Sequence, residues 1–70
     1  MSAYDNDPRV TDVPEGFQVS YVPSGWEVKT VVAVCPDWRG GWRIESPSTR
    51  DVPGFATADE AIYSLIGDPR

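Results

Sequence analysis

Residues 55–69, Phe-Ala-Thr-Ala-Asp-Glu-Ala-Ile-Tyr-Ser-Leu-Ile-Gly-Asp-Pro, constrain the fold more than any other stretch, because start, face and stop signals for one helix occur together there. Thr57 and Glu60 have the spacing of a capping box, in which the Thr hydroxyl accepts from the Glu60 backbone N–H and the Glu carboxylate reaches back to the Thr57 N–H. Ala58, Ala61, Ile62, Leu65 and Ile66 recur at three- and four-residue intervals, which lines them up as one apolar stripe. Gly67 supplies a left-handed cap and Pro69 the stop. A helix with one apolar stripe needs an apolar surface to cover, and the preceding residues have the two-residue period of strands.

A chain of 70 residues has room for one core. Domains of this size often rely on disulfides, a metal or large aromatic side chains. Cys35 is the single cysteine and there is no histidine, so neither an internal disulfide nor a usual zinc site can be assembled. No metal and no cofactor is expected. Three Trp, three Tyr and two Phe are left to fill the interior. The formal charge of −5 disfavours nucleic acid as a partner, since phosphate backbones are held by clustered Lys and Arg. No apolar run is long enough to span a bilayer and the N-terminus has no signal-peptide pattern, so a cytoplasmic location is expected, the host cytoplasm if a phage encodes the chain. The six basic residues are five Arg and one Lys, a bias that fits a high-GC genome such as that of an actinobacterium or its phage.

Residues 1–16 contain Asp5, Asp7, Asp12, Glu15, Pro8 and Pro14 with few large apolar groups, and read as an extended or mobile arm. From Phe17 the pattern alternates: Phe17, Val19 and Tyr21 on one side, Gln18 and Ser20 on the other. Pro23-Ser24-Gly25 breaks it. Residues 26–34 form the longest β-branched run and are expected to be the central strand, with Trp26, Val28, Thr30, Val32 and Val34 facing the helix and Glu27, Lys29, Val31 and Ala33 facing away. Residues 35–41, Cys-Pro-Asp-Trp-Arg-Gly-Gly, read as a turn, residues 42–45 as a short strand with Trp42 and Ile44 inward, and residues 46–54 as a loop.

The expected architecture is α+β: residues 17–70 as a three-stranded antiparallel meander with one C-terminal helix on one face. Phe17, Tyr21, Trp26, Trp42, Phe55, Ile62 and Leu65 are the expected core, each contributing about 1.5–3 kcal/mol when fully buried. The second sheet face and any unpaired edge strand are where self-association is expected.

Gly41-Trp42-Arg43-Ile44 followed by Gly54-Phe55-Ala56-Thr57-Ala58-Asp59-Glu60-Ala61-Ile62 resembles a pattern of small uncharacterised sheet-plus-helix (βββα) domains frequent in actinobacteria and their phages. More distantly it resembles the arm-binding N-terminal domains of phage integrases, which present basic residues to DNA from a sheet. Here Lys29, Arg39, Arg43 and Arg50 alternate with Glu27, Asp37, Glu45 and Asp51, a departure that argues against DNA binding.

Chemistry has little foothold, and an enzyme is not expected. Without histidine no Ser-His or Cys-His pair exists, and Cys35 has no evident base beside it. Asp59 and Glu60 are explained by capping and by the helix dipole. Trp38 stands out, because a large aromatic in a Pro-Asp-Trp-Arg-Gly-Gly turn is either an anchor for a partner or a side chain folded back onto Arg39 or Arg43. The expected function is a small acidic protein–protein interaction module, phage-encoded and acting on a host protein, that binds a host or viral protein or its own copy through Trp38, Arg39, Arg43, Val31 and Lys29. A nucleic-acid accessory role, as a weak sheet-based DNA binder or an acidic DNA mimic, is the alternative. No membrane and no small-molecule substrate is expected.

Overall fold

The computed structural model describes residues 3–23, 25, 27–47 and 50–69. An antiparallel sheet is followed by one helix, and the sheet has five strands where the sequence pattern indicates three. The strands are β1 (Val10–Val13), β2 (Gly16–Tyr21), β3 (Thr30–Pro36), β4 (Trp42–Glu45) and β5 (Val52–Phe55), and the helix is α1 (Ala58–Ile66). Their order in the sheet is their order in the chain, a meander in which each strand pairs with the next.

The two additional strands are the two edges, and each is hidden in sequence for a physical reason. β1 lies within residues 1–16, and of that segment at least Val10–Val13 is a paired strand of the sheet, Val10 opposite Val19 and Val13 opposite Gly16. Its alternation is obscured because Asp12 shares a face with Val10. β5 lies in the expected loop. Pro53 has no N–H to donate and Gly54 takes φ 98°, so between the pairs Trp42–Phe55 and Ile44–Val52 the register shifts by one residue as in a bulge. The central strand begins at Thr30 and not at residue 26, and Val28 is exposed; the inward placement expected of Trp26 lies outside the described residues.

The register confirms the expected faces of the central strands. Phe17, Val19 and Tyr21 lie opposite Val34, Val32 and Thr30, and Val34 in turn lies opposite Ile44. These residues meet α1, which packs on β2, β3, β4 and β5. Val19, Val34 and Ile62 have no exposed surface, and Val32, Ile44, Ala58 and Ala61 complete an aliphatic centre. The aromatic side chains expected at the middle are its rim instead: Phe17, Tyr21, Trp42 and Phe55 are half-buried around it, with the Phe17 and Trp42 rings 6.0 Å apart. Aliphatic groups fit the narrow space between a helix and a sheet, whereas larger rings reach out at its borders.

The helix starts where its cap demands. Thr57 is extended, with φ −136° and ψ 160°, and its hydroxyl accepts the Glu60 N–H at 3.2 Å. The Glu60 carboxylate accepts from the Ala56 N–H at 3.1 Å, one residue earlier than the Thr57 N–H of a standard capping box. Gly67, at φ 73°, ends the helix and donates its N–H to the Tyr63 carbonyl. Residues 3–9 then tie the helix down. Tyr4 is buried in the core and its hydroxyl donates to the Gly67 carbonyl, while Arg9 grips the buried Asp7 carboxylate through Nε and Nη2 and donates to the Asp68 carbonyl at 3.2 Å. Among the described residues no helix is long and apolar enough to cross a membrane.

Burial, and the nearby Asp59 and Asp68 carboxylates, push the Tyr4 phenol above its ordinary value. The fold therefore holds the protonated phenol. Its contribution is fully present below the unfolded phenol's pKa, about 10, and is lost as pH rises through the higher folded value. Tyr4→Phe is expected to cost about 1 kcal/mol at pH 7 in urea denaturation, and the gap from the parent protein should narrow above about pH 10. An equal gap at both pH values would separate Tyr4 from the alkaline loss of stability.

Candidate functional site

The turn between β3 and β4 displays Trp38, the most exposed large aromatic among the described residues. Pro36 closes β3; the Asp37 N–H then donates to the Gly41 carbonyl at 3.0 Å and the Gly40 N–H to the Asp37 carbonyl at 2.9 Å. Gly40 and Gly41 take φ 91° and 78°, which brings the chain back into β4 within five residues. A Cβ on Gly41 would also press on the Phe55 carbonyl. The Asp37 side chain is almost fully buried, accepts the Arg39 N–H at 3.4 Å and pairs with the Arg39 guanidinium at 3.3 Å. Trp38 and Arg39 therefore occupy the two corners of a braced turn.

Trp38 is 86% exposed, and the Arg39 guanidinium lies over its ring at 5.3 Å from the centroid. Stacking on Arg39 thus occurs, but the indole does not fold back over the sheet. Arg43 turns to the sheet face away from the helix, where its Nε and Nη2 donate to Glu45 at 3.2 and 2.7 Å, its Nη1 donates to the Pro36 carbonyl, and Asp51 stands at 3.9 Å. The bond to Glu45 pushes the Arg43 guanidinium further up from its already high value. Val31, 42% exposed, lies on the same bare face opposite Ser20, and the exposed Lys29 precedes β3 at the end opposite the turn. Extended chain of that length spans about 25 Å, so Lys29 and Trp38 do not form one patch.

The bare face carries a second feature. Val31, Ala33 and Val13 floor an open concavity of about 540 Å³ whose rim includes Glu15, Glu45 and Asp51. Glu15 and Asp51 did not stand out in sequence because a rim built from the β1–β2 turn, β4 and the segment before β5 exists only once both edge strands are in place. The Asp37 brace was more accessible, since Asp two residues ahead of Arg in a Pro- and Gly-flanked turn is an Asx-turn pattern. On the helix side, a cleft of about 370 Å³ is lined by Val32, Ile44, Val52 and Leu65, with Arg50 at its border. Among the described residues no three His, Cys, Asp or Glu side chains gather to hold a metal ion.

Cys35 lies across from Arg43 and is buried. Burial and the adjacent Glu45 push its thiol up, against a smaller lowering by Arg43. The neutral thiol is the form the fold holds at neutral pH, and its stabilising share is lost as pH rises past the unfolded thiol's value of about 8.5 and on through the higher folded one. Labelling of Cys35 by a disulfide reagent at pH 8 is expected to be at least about a hundredfold slower in the native protein than in denaturant. Comparable rates in the two states would show an accessible thiolate. Comparison of the chain with family models, with curated proteins and with solved structures finds no match in any of the three.

Proposed function

We propose that the chain is a non-enzymatic protein-docking module whose anchor is the Trp38–Arg39 tip of the β3–β4 hairpin. The observation that carries this reading is the 86% exposure of Trp38 on a turn fixed by the buried Asp37 carboxylate. An exposed indole gains free energy whenever a partner covers it, and a turn already locked in one shape loses little entropy on docking. Trp and Arg are also the residues that most often dominate binding energy at interfaces. Arg43 belongs to the adjoining bare face as a secondary contact, while Val31 and Lys29 stand towards the far end of β3 from the turn. A partner protein of a host cell, with the chain encoded by a phage, belongs to the same proposal and is supported by the Arg-over-Lys bias alone.

The DNA-mimic alternative needs carboxylates left open on one surface. Against it, Asp7 is tied to Arg9, Asp37 to Arg39, and Glu45 with Asp51 to Arg43. A sheet-based DNA grip is weakened by the same pairs, which occupy the guanidinium groups.

Trp38→Ala is expected to leave the thermal midpoint within about 2 °C of the parent, as for substitution at an exposed site, and to remove the partner from quantitative pull-downs. A partner captured equally by the parent and by Trp38→Ala would displace the tip as the anchor. A fall of about 10 °C would instead return the indole to a stabilising role.

A further inference from the structure

We propose that the Trp38–Arg39 tip of one chain docks in the acidic-rimmed concavity on the bare sheet face of a second copy. The inference rests on the docking reading above and names the partner of that tip. Knob and hole are complementary in two respects. The tip offers an indole, which buries about 150–250 Å² when covered, beside one guanidinium. The concavity offers an apolar floor of Val31, Ala33 and Val13 within a rim holding Glu15, Glu45 and Asp51, in a volume of about 540 Å³.

Charge at the rim is incomplete within one chain. Glu45 is bonded to Arg43 at 2.7 Å and Asp51 stands 3.9 Å from the same guanidinium. Three carboxylates against one guanidinium leave two negative charges. The Arg39 guanidinium, half exposed although it pairs with Asp37 at 3.3 Å, would arrive with the indole and turn its open side to that excess.

Two other surfaces fit the tip less well. The cleft beside the helix has Arg50 at its border, which repels Arg39. The sheet edges are four-residue strands, β1 set between Pro8 and Pro14 and β5 interrupted by Pro53, so pairing of edges between copies is disfavoured. In a two-fold pair each tip enters the other chain's concavity, so every contact is made twice. The area covered is small compared with the roughly 800 Å² per partner of standard interfaces, so the contact belongs with weak ones, for which the range to sample is about 10 µM to 1 mM.

Sedimentation equilibrium of the purified chain over that range is expected to show mass rising towards twice that of one chain, less steeply at high salt. Trp38→Ala and the double substitution Glu15→Lys with Asp51→Lys should each weaken association at least tenfold with the thermal midpoint nearly unchanged, since these positions are exposed; Arg39→Glu should weaken it as much, with a lower midpoint because it also takes the partner from the buried Asp37 carboxylate. Mixing Arg39→Glu with the double-Lys protein should recover it, because the swapped charges again oppose one another. Single-chain mass for the parent at about 1 mM, or equal association by Trp38→Ala, overturns the inference. If the parent stays single while Trp38→Ala still loses a foreign partner, the copy-on-copy contact alone falls; if Trp38→Ala changes neither, the docking reading falls with it.

Discussion

A nine-residue helix packs on one face of this sheet, and the fold depends on how that helix is held. The helix is about 13 Å long, while five strands span about 19 Å, so it cannot cover the whole sheet. Two devices answer the shortfall. Small and branched side chains, Ala58, Ala61 and Ile62 against Val19, Val34 and Ile44, let the layers close tightly at the centre. Residues 3–9 then supply what the helix lacks, with Tyr4 joining the core and bonding to the helix end, and Arg9 bonding just beyond it. The N-terminal segment is thus part of the cover, and the half-buried aromatic rim seals the border that remains.

With one face of the sheet sealed, the opposite face and the hairpin ends are what the domain can offer to other molecules. The β3–β4 turn is braced from several sides, because its backbone bonds, its two glycines and the Asp37–Arg39 pair all specify the same geometry. Its aromatic is correspondingly well presented. A Trp held in a locked turn and an apolar floor ringed by carboxylates are features of different strands, and the meander sets them on one small body.

The helix was legible almost residue by residue, because its signals are local: a hydroxyl at the cap, a three-and-four spacing, a glycine at the end. The inward faces of the central strands were equally plain, since Val19, Val32, Val34 and Ile44 keep strict alternation. Edge strands are another matter. Val52-Pro53-Gly54-Phe55 contains the two residues that usually signal a loop, and it pairs only because an edge tolerates a missing donor and a bulge. Val10-Thr11-Asp12-Val13 places a carboxylate on the inward side of its strand, where an edge leaves room for water. Tyr4 was invisible for a further reason: its role depends on a bond to Gly67, 63 residues away. At the candidate site the residues Trp38 and Arg39 were legible as unusual, but whether the indole lay inside or outside depended on the Asp37 brace.

The acidic balance of the chain and its exposed indole belong to one argument. An uncovered Trp invites indiscriminate sticking, and a net charge of −5 opposes it by keeping like molecules apart. Among the described residues Arg9, Arg39 and Arg43 are each bonded to a carboxylate, so much of the positive charge is spent inside the fold and the surface field is set by the remaining acids. Such a field penalises contact between two copies in any orientation that brings acids together. It favours an orientation that brings a guanidinium to a carboxylate rim. In the proposed contact between copies the same charges would select which surface the exposed Trp38 tip approaches, and that selection, more than the area of the contact, would supply its specificity.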